Sequence, residues 1–304
     1  MIKKIIKRKY YQGPVGTSPF VYAGMACNNN CIYCFEKDQL FFDKGTKKLK
    51  EEIRIIRKKF NFINFMGKEP TLRKDLLELI KYAKKIKFQQ IGITTNGRML
   101  SYKDFLEKLI KHGLNQVVIT VAGHTPHLHE KHTLAKESFK QTTEGIENAI
   151  NLKGHGLNLV LNIMVTQDNY KDLEKIVDFY VDLGVREMNI GHILPFNKEI
   201  VKSKKIIARM KNVVPYLIKI QNKYKKNVKF LFVEYPPCVL PSDFRCLSFP
   251  CLEESPQKKT IFLVPKMPIS KNLQWRPRIL FGPIRNKRIQ IIILDRDKCQ
   301  IKRK

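Results

Sequence analysis

From Pro19 to Glu234 the chain alternates short β-branched or aromatic runs with longer stretches in which apolar positions recur every three or four residues among lysines. The short runs predict strands at Phe20–Met25, Phe60–Met66, Gln90–Thr95, Gln116–Val121, Leu157–Val165 and Arg186–Leu194, and a further one at Lys229–Glu234. The longer stretches predict helices at about Lys47–Lys59, Leu72–Lys85, Tyr102–His112, Ser138–Leu152, Tyr170–Leu183 and Lys198–Tyr224. Strands regularly separated by helices of this length are the pattern of βαβ units and a parallel sheet. Two helices run into glycine, at Lys111-His112-Gly113 and Asp182-Leu183-Gly184, where a left-handed C-cap is least costly. Six repeats suit an open or closed α/β barrel better than a short doubly wound sheet. Beyond Pro236 the alternation fails, and Pro237, Pro241, Pro250, Pro256, Pro265 and Pro268 break up the remainder. The organisation expected is a basic N-terminal segment (1–18), a barrel (19–235) and a short irregular C-terminal extension (236–304).

Composition changes this picture in two ways. The 304 residues carry 58 Lys and Arg against 27 Asp and Glu, a formal charge of +31, which excludes an acidic surface and makes a polyanionic partner worth weighing. The charge is uneven: residues 255–304 hold fourteen basic and two acidic residues, together with the only tryptophan, Trp275. That tail reads as a nucleic-acid-binding segment, a poorly folded end, or a terminus that has drifted from an ancestral cysteine-rich one. No stretch is long and apolar enough to span a membrane, and the basic start at Met1 lacks the apolar core of a secretory signal, so a cytoplasmic location is expected. The second change comes from cysteine. Of seven, Cys27, Cys31 and Cys34 lie within eight residues, which suits metal or redox chemistry in a reducing compartment better than a disulfide framework.

Cys27-Asn-Asn-Asn-Cys31-Ile-Tyr-Cys34 directly follows the first strand. Three thiolates on one short loop can converge on a polynuclear centre, whereas a tetrahedral zinc site wants a fourth Cys or His nearby, and the sequence offers none close by. A cubane cluster held by three cysteines leaves one iron open to another ligand.

This loop, with an aromatic residue before its last cysteine, resembles the signature of the radical S-adenosylmethionine (radical SAM) enzymes. The likeness continues in Phe65-Met66-Gly67-Lys68-Glu69-Pro70-Thr71, similar to the family's Gly-Gly-Glu segment with Lys68 at the second glycine, and in Thr94-Thr95-Asn96-Gly97, similar to its Thr-Asn-Gly turn. It spans about Phe20 to Pro195. It implies a partial (β/α)6 TIM-like barrel, Cys27, Cys31 and Cys34 as ligands of a 4Fe-4S cluster, and S-adenosylmethionine chelated to the open iron. By the same resemblance Tyr33 packs near the adenine, Gly67 and Glu69 meet the methionyl amino group, and Thr95 and Asn96 lie beside the cofactor. Asn162 corresponds to a polar position reaching its ribose or carboxylate. Reductive cleavage would release a 5′-deoxyadenosyl radical to abstract hydrogen from substrate, with a reductant such as flavodoxin or ferredoxin supplying the electron. A peptide or protein is the first substrate expected and a nucleic acid the second; a non-enzymatic iron-sulfur protein is the rival.

Four of seven histidines, His124, His127, His129 and His132, follow the fourth predicted strand. They read as a solvated loop, with a substrate-contacting, proton-handling or metal role as the alternatives. Cys238, Cys246, Cys251 and Cys299 raise a possible second iron-sulfur cluster against free or buried thiols.

Overall fold

The computed structural model describes residues 18–24, 26–34, 36–37, 44–194, 200, 206–236 and 239–249, the backbone alone at 245, 246 and 249, and the backbone of three further strands. Its main sheet has eight parallel strands in chain order: β1 (Phe20–Gly24), β2 (Phe62–Gly67), β3 (Gln90–Thr95), β4 (Gln116–Val121), β5 (Asn158–Val165), β6 (Glu187–His192), β7 (Lys229–Val233) and β8 (Ser248–Phe249). The order never reverses, so crossovers of one hand put every helix on the same face, as in a barrel and unlike a doubly wound sheet. β1 and β8 are the two ends of the strand order, so the sheet stays open. This is the α/β, TIM-like partial barrel expected from the alternation. The seventh strand is present, and the two-residue eighth comes from beyond residue 236 and pairs with β7.

The covering helices are α1 (Thr46–Arg57), α2 (Leu76–Lys85), α3 (Lys103–His112), α4 (Pro126–Thr133), α5 (Ser138–Asn151), α6 (Leu173–Asp182) and α7 (Met210–Tyr224). Side-chain alternation along the strands separates two environments. Ile63, Phe65, Ile93, Val117, Ile119, Leu161, Ile163, Ile190 and Phe232 are sealed beneath the helices. Their neighbours Asn64, Met66, Thr94, Thr120, Asn162, Met164 and Asn189 are only half-buried and line the other, inner face. Polar pairs run across that face, with Asn64 Nδ2 donating to Thr94 Oγ1 at 2.8 Å and Asn189 Nδ2 to Asn162 Oδ1 at 2.8 Å.

Three expectations need correction. The histidine segment is not a solvated loop. Thr125 caps α4 by accepting from Leu128 N at 3.2 Å with Pro126 in the first turn, and His129 and His132 are 1% and 0% exposed. The single helix expected over Lys198–Tyr224 is interrupted: Ile200 is helical, residues 206–209 are not, and α7 starts at Met210 after an extended Arg209 (φ −72°, ψ 126°). The extension is not wholly irregular, since β9 (Phe262–Pro265), β10 (Ile289–Leu294) and β11 (Ile301–Arg303) form an antiparallel three-stranded sheet. Gly113 and Gly184 take the positive φ expected of them, 121° and 106°.

Candidate functional site

The three cysteines sit on the loop leaving the C-terminal end of β1, with Cys27 exposed and Cys31 and Cys34 half-buried. Cys34 N donates to Cys31 O at 3.1 Å and closes the last turn of the loop. Its backbone is pinned from one side by the end of α4, whose last carbonyls lack helical partners: Ile32 N donates to His132 O at 2.9 Å and Asn30 N to Thr133 O at 2.9 Å. From the other side the turn after β3 grips it. Asn96 Nδ2 donates to Asn28 Oδ1 at 2.6 Å and approaches Cys27 Sγ at 3.8 Å. Arg98 Nη1 donates to Asn28 O and, at 3.0 Å, to Asn29 Oδ1, while its Nε donates to Gln141 Oε1 on α5 at 2.6 Å.

Burial, and then the neighbouring thiolates of Cys27 and Cys34, push the Cys31 thiol up to about 12; burial also raises Cys27 and Cys34. Thiols raised in this way favour the protonated form until a cationic centre replaces their protons. Among the described residues no three His, Cys, Asp or Glu side chains form a site for a single metal ion. A thiolate-only donor set, spread over one loop, fits a cluster rather than mononuclear zinc.

The Gly67–Glu69 segment packs directly under β1. Gly67 has φ 115°, and a Cβ there would lie 2.8 Å from Gly24 O, so only glycine fits. The positive φ falls on Gly67 and not on Lys68, so the lysine is tolerated where the family carries a second glycine. Glu69 is 1% exposed and receives four hydrogen bonds. Oε1 accepts from Thr71 N (3.0 Å), Thr71 Oγ1 (2.6 Å) and Thr95 Oγ1 (2.7 Å), and Oε2 accepts from Asn96 N (2.7 Å). Its carboxyl is nevertheless raised, because burial outweighs these donors. Glu69, Thr95 and Asn96 thus form one network joining the ends of β2 and β3, and through Asn96 it reaches the cysteine loop. Asn162 lies apart from that network, half-buried on the inner face of β5 and paired with Asn189.

Tyr33 is buried, and burial, with the Cys31 thiol nearby, raises its hydroxyl well above the usual phenol range. Its ring packs with Ala122 and Ile193 and stands 6.4 Å from the ring of His132. His132 Nδ1 faces Leu128 O at 2.6 Å, and a carbonyl only accepts, so the proton is on Nδ1. Nε2 then accepts from Thr166 Oγ1 at 2.8 Å, whose lone pairs already serve Asp168 N and Asn169 N. A neutral His132 with both nitrogens engaged holds α4 to the end of β5 and has no lone pair left for a metal. His129 finds no partner for either nitrogen, and burial, with His132 and Arg98 nearby, lowers it to about 4.

Arg98, the α4 carbonyls and Glu36 were missed by the sequence reading. Glu36, two residues past Cys34, is 2% exposed with neither oxygen paired; burial lifts it to about 7, opposed by the charge of Lys68. The signal for Arg98 was its place directly after Thr-Asn-Gly. Cys238, Cys251 and Cys299 lie outside the described residues, as does most of the basic tail, and only the backbone of Cys246 is described.

An open parallel barrel with three free cysteines on the loop after its first strand is the class of protein in which a thiolate-held iron-sulfur cluster would sit at the end of the barrel. The sequence model of the Radical SAM superfamily matches residues 21–180, and the chain belongs to that superfamily. Among curated proteins it is similar to a probable GTP 3′,8-cyclase of Saccharolobus solfataricus, with 32% identity over 178 residues covering 56% of this chain and 54% of that one. One described in the same words from Sulfurisphaera tokodaii is 31% identical over 185 residues, covering 56% and 53%. The chain therefore spans about half the length of the curated relatives it matches. Among solved structures, Streptococcus suis SuiB bound to S-adenosylmethionine superposes with a TM-score of 0.57 at 19% identity, over 70% of this chain and 49% of that one. Methylornithine synthase superposes with a TM-score of 0.54 at 17% identity, over 75% and 67%. At these identities the structural likeness speaks for the fold alone.

Proposed function

We propose that the chain cleaves S-adenosylmethionine reductively and takes a hydrogen atom from a guanosine nucleotide. The observation that carries the first half is the cysteine loop, held between α4 and the turn after β3, inside the matched superfamily domain. A 4Fe-4S cluster held there would supply the electron for reductive cleavage of the sulfonium, whose product is a 5′-deoxyadenosyl radical. The remaining work falls to the chain. Cys27, Cys31 and Cys34 would hold that cluster through their thiolates. Glu69 Oε2, engaged only by Asn96 N, keeps a lone pair for the methionyl ammonium, and Gly67 keeps the backbone beneath it close. Tyr33 offers an apolar wall for adenine; Thr95 and Asn96 fix the turn beside the cofactor, and Asn162 presents its amide on the inner face. The barrel wall holds the target hydrogen near the radical carbon and keeps water away, and such positioning supplies much of the rate.

The nucleotide half is supported by the curated relatives, whose names specify GTP 3′,8-cyclisation. They lend no support to the peptide substrate expected first. A bond between C3′ and C8 requires loss of the C3′ hydrogen, so GTP deuterated at C3′ is the informative substrate. Anaerobically reconstituted protein with dithionite and S-adenosylmethionine should yield 5′-deoxyadenosine containing deuterium. Unlabelled 5′-deoxyadenosine with GTP intact would overturn the nucleotide reading and leave the cleavage reading standing.

A further inference from the structure

We propose that the exposed surface of residues 131–140, beside the cysteine loop, docks an acidic electron-donor protein of the low-potential flavin or iron-sulfur type. The inference rests on the cleavage reading above, in which each turnover draws one electron from outside the chain. At the surface the donor loses one electron and the thiolate-held centre gains it, and no bond is made or broken there.

The place is set by the backbone. Asn30, exposed on the cysteine loop, donates to Thr133 O at 2.9 Å, so the segment after Thr133 starts from a contact with that loop, and Leu134, Lys136, Glu137 and Lys140 in it are exposed. Cys27 itself is exposed. Electron transfer slows steeply with distance, and a donor seated here approaches the loop from its open side.

The chemistry of the patch is unusual within the fold. Leu134 ends α4 in a left-handed conformation (φ 50°, ψ 37°) and is 53% exposed. Gly113 and Gly184 do the same job at α3 and α6 at no steric cost. Leucine there leaves more than half of its surface in solvent and bears the strain of a β-carbon. Glu137, three residues on, is a second non-glycine at positive φ (63°), so two of the four such residues described fall in this one connection. Strain concentrated around an outward apolar side chain points to use rather than to stability.

The same segment carries the exposed lysines Lys131, Lys136 and Lys140 against the single acid Glu137, with Lys131 also paired to Asp168 at 2.9 Å. An exposed apolar side chain among exposed cations in one short segment is the make-up of a small, transient interface whose charges steer a partner of opposite sign. An acidic donor complements it.

The test uses the full chain carrying its cluster and a flavodoxin as probe. Affinity for oxidised flavodoxin is measured by calorimetry at low salt. Formation of 5′-deoxyadenosine is then driven either by reduced flavodoxin or by dithionite. L134N places a residue that favours the left-handed region, so the fold is not weakened while the apolar side chain is lost. K136E combined with K140E reverses two of those charges. Each variant should bind flavodoxin about tenfold more weakly and slow the flavodoxin-driven reaction by a similar factor. Dithionite-driven product should stay within about twofold of wild type, because a small reductant needs no docking. Unchanged affinity in both variants, no measurable binding by the wild type, or equal losses with dithionite would overturn the proposal. If the wild type yields no 5′-deoxyadenosine with dithionite, the cleavage reading fails, and the calorimetry still judges the patch alone.

Discussion

Arg98 is the clearest single point of leverage on the cysteine loop. Its guanidinium makes two contacts with that loop, at Asn28 O and Asn29 Oδ1, and one with Gln141 on α5. Hydrogen bonds from a charged donor are worth about 1.5–3 kcal/mol each; the site is half-exposed, so freed acceptors rehydrate and the lower figure applies. Losing both loop contacts in Arg98→Ala thus weakens docking of the loop by about 3 kcal/mol, roughly a hundredfold in its opening equilibrium. The bonds from Asn30, Ile32 and Asn96 remain, so the loop loosens without detaching. The assay is the rate at which a strong chelator removes iron from reconstituted protein, followed by loss of cluster absorbance. Arg98→Ala should release iron ten- to a hundredfold faster, on the order expected from that opening equilibrium. The control is Leu217→Ala, a fully buried residue on α7 far along the sheet from β1, which costs about 2–5 kcal/mol of global stability without touching the loop. If Arg98→Ala releases iron no faster than Leu217→Ala, the clamp plays no part in holding the centre.

Two further outcomes follow from backbone and burial. Gly67→Ala forces a Cβ to within 2.8 Å of Gly24 O at φ 115°, and should cost about 3 kcal/mol in urea unfolding; a midpoint equal to wild type would show the turn can relax. Glu234, at the end of β7, has its carboxyl raised by burial from 4.5 to about 7. The native state therefore holds that proton more tightly than the unfolded chain, and stability falls as pH rises from 4.5 to about 7, then levels, for a total of at most about 3 kcal/mol. Glu234→Gln should remove this fall, and unfolding curves at several pH values that run parallel for the two proteins would contradict it.

The barrel was legible because β-branched runs such as Gln116–Val121 alternate with lysine-rich helices, and that period survives any tertiary detail. The cysteine loop was legible because its chemistry lies in one stretch of eight residues. α4 was not. Its sequence, Pro126 to Thr133, carries histidines where an amphipathic helix would show aliphatics, and polar rings read as solvated. Burial came from outside: Phe139 against His129 at 5.8 Å and Thr166 bonded to His132 at 2.8 Å. The Thr125-Pro126 start was nevertheless a readable cap. The Arg98 clamp joins residues some seventy positions apart, and no local pattern announces such a contact.

The most direct test of the central claim is 5′-deoxyadenosine formation by anaerobically reconstituted chain given dithionite and S-adenosylmethionine, beside Cys27→Ala, Cys31→Ala and Cys34→Ala. Product from the wild type and none from the three variants is the expected result. Product that survives the loss of any one cysteine, or none from the wild type despite a full complement of iron, would contradict a radical centre held by these three thiols.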